Sequence, residues 1–353
     1  MRTYDFRVID QVGPYILIKL IGEGGMGEVW RAENEVTGRE VAIKLLAKHA
    51  LTDQELRDRF RQECEVAARI RHPNILPVWD YSVRDPQYIV MPFVAEGTDL
   101  ATILKSGIIA PERAVNIVRQ TASALDAAHL KGLRHRDVKP SNIMIEKYGA
   151  DEQALLFDWG IAQPIDPSGA PPVTRHGHLV GTPAYIAPER LGDTVTPDHR
   201  ADVYALAVVL YECLTGQKPF DGEDMAVLTA QVLRDPPPLP AHLGPELAAV
   251  VAKGLEKDPD KRYQSAGELA AAAMAALNGT APVPLPASPA PTPVSNGPRI
   301  TAAGLAGVVV AFGLYLTGTV GAAVFWLLLP VLAAAGALVA YGLWGGTRPR
   351  GVN

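Results

Sequence analysis

The chain has 353 residues, 48% of them hydrophobic and 20% charged, with a formal net charge of −5. That length suits about two domains, or one large bilobal domain with additions, and the apolar fraction is ample for a core. The last 75 residues hold no Asp or Glu and three arginines, Arg299, Arg348 and Arg350, so residues 1–278 carry −8, which argues against the basic surface of a nucleic-acid binder.

The opening stretch, MRTYDFRVIDQVGPY, lacks the apolar run of a secretory signal, and the globular part is expected to stay in the cytosol. Residues 15–47 then alternate in the manner of strands, with short β-rich runs at Tyr15–Ile21, Glu28–Glu33 and Glu40–Leu46. Gly22–Gly27 separates the first two runs, and Glu35-Val36-Thr37-Gly38 turns between the second and third. The spacing predicts a helix over 53–70, with Phe60, Cys64, Ala67 and Ala68 on one face. Residues 76–81 and 88–94 return to strand character. From residue 99 the pattern is helical, and Pro111-Glu112 opens a helix to about Lys131, since proline is favourable in a first turn. Short strands are expected at 143–145 and 154–157, and further helices at 201–216, 224–234, 245–257 and 265–277. Cys64 and Cys213 both fall in apolar helical patterns with no CxxC or Cys/His cluster, so a disulfide framework or zinc site is not expected.

Residues 279–298 are rich in Pro, Ala and Ser and read as a semi-extended linker. No charged side chain follows Arg299 until Arg348, an apolar stretch more than twice the roughly 20 residues of one membrane span. Thr317–Gly321 is its natural break. The favoured reading is a hairpin of two spans, about 300–317 and 322–344, with Pro330 kinking the second; the alternative is one long tilted helix with an interfacial segment. A hairpin places all three arginines on the cytosolic side.

The chemistry concentrates in two strings. Residues 135–142 read His-Arg-Asp-Val-Lys-Pro-Ser-Asn, and Asp158-Trp159-Gly160 follows sixteen residues beyond Asn142. Phosphoryl transfer from ATP needs an acceptor for the attacking hydroxyl's proton, for which Asp137 is the candidate. It needs oxygen ligands for magnesium, which Asn142 and Asp158 can supply, and positive charge near the moving phosphoryl, which Lys139 can supply. Gly22-Glu23-Gly24-Gly25-Met26-Gly27 contains GxGxxG, weak by itself because dinucleotide-binding proteins share it. There the glycines lead into a helix; here a β-like run, Val29–Ala32, follows them, and such a turn can fold over a nucleotide with its N–H groups toward the phosphates.

Together these strings resemble the eukaryotic-type protein kinases. The resemblance covers about residues 13–275, with eight elements in the family's order. It implies an α+β fold of two lobes, a β-rich N-lobe at 1–94 that binds ATP and a mainly helical C-lobe at 95–278, followed by a linker at 279–299, the transmembrane region at 300–345 and a short tail at 346–353. It implies that Gly22, Gly24 and Gly27 cover the phosphates, that Val29 covers the adenine, and that Lys44, in Val41-Ala42-Ile43-Lys44, grips the α and β phosphates. Glu63 fits the position of the carboxylate that holds this lysine; Glu65, about 200° around the helix, is the competitor. Met91 becomes the gatekeeper, and backbone groups of Pro92 and Val94 face the base.

Further along the chain, Arg136 is implied as acceptor of an activation-segment phosphate, and Lys139 marks the serine/threonine pattern. Thr182 is implied as a bridge between Asp137 and Lys139, Glu189 as the partner of Arg262, and Asp202 as a brace for the catalytic loop. Thr174 is the best autophosphorylation site and Ser168 the second; His176 occupies the place of the second threonine of related bacterial kinases. Trp159 departs from the family's Phe, keeping the metal-binding aspartate but adding bulk and an N–H.

The likeness is strongest to membrane-anchored bacterial Ser/Thr kinases acting on protein hydroxyls with ATP and Mg2+. The implied location is the plasma membrane, with the kinase domain cytosolic. With no extracellular sensor read from the sequence, input is expected through the membrane, a membrane partner, or homodimerisation for trans-autophosphorylation. The rivals are a pseudokinase, disfavoured by the presence of Lys44, Asp137, Asn142 and Asp158, and a small-molecule kinase, which would lack the segment Gly181–Glu189.

Overall fold

The structure, a computed structural model, describes residues 11–24, 27–47, 54–149, 151–160, 183–191, 197–222 and 224–279. All of them belong to one compact unit, Met1–Ser288. The expected linker and membrane region, and Ser168, Thr174, His176 and Thr182, lie outside the described residues. Among the described residues no helix is long and apolar enough to cross a membrane.

The N-terminal lobe is a six-stranded sheet, β1 (Gln11–Val12), β2 (Tyr15–Gly24), β3 (Gly27–Asn34), β4 (Glu40–Leu46), β5 (Asp80–Ser82) and β6 (Tyr88–Pro92), in the order β1-β2-β3-β4-β6-β5 with every pairing antiparallel. Opposed residues of antiparallel strands share a face, and alternate residues change face. Val41, Ile43, Leu45 and Val90 therefore bury together with Tyr15 and Ala32 in a small core of their own. The residues between them in sequence, Ala42, Lys44, Ile89 and Met91, point the other way. One helix, α1 (Gln54–Arg69), packs Phe60, Cys64 and Ala67 into the main core, the face predicted by their spacing.

The second lobe is helical apart from a three-stranded sheet of β7 (Thr98–Asp99), β8 (Ile143–Tyr148) and β9 (Asp151–Leu156). Its helices are α2 (Leu100–Leu104), α3 (Pro111–His129), α4 (Arg200–Thr215), α5 (Met225–Arg234), α6 (Pro245–Gly254) and α7 (Ala266–Leu277). Apolar residues surround α4 on all sides, and thirteen of its sixteen residues are buried, as expected of a helix running through a core. It ends at Gly216, whose φ of 73° gives the left-handed cap that glycine adopts without penalty. The carboxylate of Asp126 on α3 accepts from the first backbone N–H groups of α7, Ala266 at 3.0 Å and Gly267 at 2.8 Å. A Cβ on Gly267 would lie 2.6 Å from that carboxylate, so the staple requires glycine there. The segment between α1 and β5 is tied to β9 of the second lobe: Leu156 N–H donates to the Asn74 carbonyl at 2.9 Å, and Leu76 N–H to the Leu156 carbonyl at 3.0 Å.

Candidate active site

Register brings the N-lobe site residues together. Val29 stands opposite both Gly22 and Lys44, Lys44 opposite Ile89, and Ala42 opposite Met91. Val29, Lys44, Ala42 and Met91 thus share one face, away from the upper core. Gly27 has φ 137°, and a Cβ there would fall 1.9 Å from the Leu45 carbonyl oxygen, so no other residue fits. Gly24 has open space where its Cβ would be.

The loop 135–142 is built by a cage of hydrogen bonds. Asp202, in the first turn of α4, accepts from the backbone N–H of His135 and of Arg136, each at 2.8 Å, and is paired with His129 Nε2 at 2.8 Å. Burial alone would raise the Asp202 carboxyl; the hydrogen bond and charge of His129, with His135, outweigh it and hold the group well below the usual carboxylate range. His135 is fully buried, and burial depresses its pKa. A neutral ring has one donor and one acceptor. Its Nε2 lies 3.0 Å from the Phe157 carbonyl and so carries the proton, leaving Nδ1 to accept from Asp137 N–H at 3.3 Å. The Trp159 ring packs beside it, 4.8 Å between centroids, and is itself buried. The bulkier residue therefore occupies the core beneath the loop.

Within this cage the polar side chains converge. Lys139 Nζ donates to Asp137 Oδ2 at 2.7 Å. Asn142 Nδ2 donates to the Asp137 carbonyl at 2.7 Å and to Oδ2 at 3.1 Å. Asp158, at φ 59°, faces Lys44 in a close ion pair. Burial pushes the Asp158 carboxyl up, but the Lys44 ammonium beside it wins, and the net shift is downward.

The expected Lys44–Glu63 pair is not what the structure holds. Lys44 pairs with Asp158, and Glu63 Oε1 accepts from Arg136 Nη1 at 2.6 Å. Glu63 is largely buried, its Oε2 finds no partner among the described residues, and burial outweighs Arg136 to raise its pKa. A carboxylate removed from water must take a cation, and the position of α1 offers it Arg136. Two structural expectations are met: Arg262 and Glu189 form a buried two-pronged pair at 2.7 and 2.6 Å, and Asp202 braces the loop. One contact was not foreseen, that of Arg190 with the Arg136 carbonyl. The available signal was an arginine directly after Glu189, beyond the apolar run Ala184–Pro188.

A family model described as "Protein kinase domain" matches residues 15–274. The chain belongs to the protein kinase family. It is 45% identical over 280 residues to the serine/threonine-protein kinase PknH of Mycobacterium tuberculosis, an alignment that spans 78% of this chain and 44% of the relative. Against PknD of the same species it is 45% identical over 278 residues, 77% of this chain and 41% of the relative. The chain thus matches less than half the length of these curated relatives. Among solved structures, the Mycobacterium tuberculosis PknI kinase domain aligns with a TM-score of 0.60 at 30% identity, covering 75% of this chain and 97% of that one. Rad53 1-466 in complex with AMP-PNP aligns with a TM-score of 0.60 at 25% identity, covering 73% and 64%. The two-lobed architecture is therefore that of a protein kinase domain.

Proposed function

We propose that this kinase transfers the γ-phosphoryl of ATP to serine and threonine hydroxyls of proteins, and that residues 300–345 hold it at the plasma membrane with the catalytic lobes in the cytosol. The observation that carries the activity is the convergence of Lys139 and Asn142 on one carboxylate oxygen of Asp137. An acceptor-only group fixed by two donors is oriented for a substrate hydroxyl and can take its proton as the phosphoryl transfers. Lys139 adds the charge that the moving phosphoryl needs. Lys44, projecting from β4 beneath the glycine turn, suits the α and β phosphates, and the names of the relatives point the same way.

The donor set also suits magnesium. Asp158 offers a carboxylate held ionised, and Asn142 gives its amide N–H2 to Asp137, leaving the amide oxygen as the ligand end; both are the hard oxygens Mg2+ prefers. Bound Mg2+ neutralises phosphate charge.

The exchanged ion pairs fit a resting form. Productive binding asks Lys44 and Asp158 to face nucleotide rather than each other, and asks Glu63 to steady Lys44. A phosphate on Thr174 carries more charge than a carboxylate and pairs strongly with arginine, so it would draw Arg136 from Glu63 and release α1.

The test is the full chain with labelled Mg-ATP and a generic basic protein, beside Lys44→Met. Label on the wild type alone, on serine or threonine, with autophosphorylation mapped to Thr174, is expected. ATP binding without transfer would replace the enzyme with a scaffold, and phosphate only at other sites would reject Thr174. For the anchor, a reporter fused after Asn353 is expected in the cytosol; an external signal would replace the hairpin with a single span.

A further inference from the structure

The backbone of Arg136 is held on both sides. Its N–H donates to Asp202 Oδ1 at 2.8 Å, and its carbonyl accepts from Nη1 of Arg190. Arg136 has φ 67°, a left-handed conformation that non-glycine residues keep only where their surroundings over-determine it. The two clamps do different things. Asp202 fixes the peptide that enters Arg136. The Arg136 carbonyl belongs to the peptide that leaves it, the same planar unit that carries the N–H of Asp137. That N–H has a long, neutral partner, His135 Nδ1 at 3.3 Å, whereas Arg190 brings a charged donor to the same plane from which Asp137 projects.

Arg190 is well placed for such a role. It follows Glu189, which the buried Arg262 grips with two hydrogen bonds. Its guanidinium sits near the carboxylates of Asp137 and Asp202, and burial depresses its pKa, as for a cation drawn under the surface to meet a backbone group. The side chain of Arg136 is engaged separately, by Glu63, so it can change partner while its backbone stays fixed.

We propose that Arg190 is a positioning residue for phosphoryl transfer: by holding the Arg136–Asp137 peptide it sets the aim of the Asp137 carboxylate and makes that aim depend on the seating of segment 183–191. The proposal rests on the kinase reading above. It needs no contact between Arg190 and either substrate.

The experiment is steady-state kinetics of the full chain with Mg-ATP and a peptide substrate, for wild type, Arg190→Gln and Arg190→Lys, beside thermal unfolding. Misplacement on the ångström scale lowers rate by up to about 100-fold. Arg190→Gln is therefore expected to lower kcat roughly 10- to 100-fold in a protein still folded at the assay temperature, with the KM for ATP close to wild type, because Lys44 and the glycine turn lie in the other lobe. Arg190→Lys keeps a charged donor and is expected to recover most of kcat. If Arg190→Gln fails to fold, Arg190→Met serves, since it removes the donor and keeps the packing stem. A kcat within twofold of wild type, or a loss that follows the folded fraction and is not rescued by lysine, overturns the assignment. A wild type that transfers no phosphate overturns the kinase reading and this assignment with it.

Discussion

Asp137→Asn is expected to lower the rate of phosphoryl transfer by a factor of about 10²–10⁴ while leaving ATP affinity near wild type. The substitution is close to isosteric. An asparagine here can turn its amide oxygen toward Lys139 Nζ, which lies 2.7 Å from Asp137 Oδ2 in the native loop. The loop itself is held by backbone contacts that the side chain does not make, from Asp202, His135 and Arg190. What disappears is a basic oxygen able to take the proton of a substrate hydroxyl. Nucleotide contacts should persist, because Lys44 and the glycine turn belong to the other lobe. Initial rates with a peptide substrate, paired with a fluorescent-nucleotide titration, separate the two effects. Transfer retained within tenfold would remove Asp137 from the role of base. Lost nucleotide binding would show that the loop had collapsed instead.

The elements with regular periodicity were legible in the sequence. The helix expected over 53–70 is Gln54–Arg69, and the one from Pro111 ends at His129. The strand expected at 76–81 is only Asp80–Ser82, because Leu76 and Val78 bury in the main core outside any ladder. The two-residue strands Gln11–Val12 and Thr98–Asp99 were not foreseen; a run that short has no period to detect. The loop 135–142 was legible because adjacent residues carry its chemistry. The partner of Lys44 was not. Local spacing puts Glu63 on the inner face of α1, but where α1 lies decides whether that carboxylate meets Lys44 or Arg136, and position is a tertiary property. Arg190 escaped for a related reason: its partner is a backbone carbonyl 54 residues away, and a carbonyl leaves no mark in a sequence.

That carbonyl belongs to a chain of contacts from the end of the activation segment into the helical lobe, and the chain's anchor is where the largest stability effect is expected. Arg262→Ala should destabilise the kinase domain by about 3–5 kcal/mol, the cost of breaking one partner out of a buried ion pair. The side chains of Arg262 and Glu189 are 0% and 2% exposed. The guanidinium spends itself fully: Nη1 and Nη2 on the two Glu189 oxygens, Nε on the Glu256 carbonyl at 2.6 Å, Nη2 on the Lys257 carbonyl at 2.9 Å and Nη1 on the Arg200 carbonyl at 3.3 Å. Its plane also lies over the Tyr204 ring, 5.0 Å from the centroid. Alanine would leave a carboxylate and three carbonyls without their donor, each costly to bury unpaired. For a domain of this size the loss corresponds to a fall in Tm of about 6–20 °C. Thermal unfolding of Arg262→Ala, Glu189→Gln and the double variant would measure it. The double variant should recover only part of the loss, because the Glu256, Lys257 and Arg200 carbonyls stay orphaned whether or not Glu189 is neutralised. A loss below about 1 kcal/mol for Arg262→Ala would place the pair among exposed salt bridges. It would also remove the fixed point from which Arg190 reaches the loop that carries Asp137.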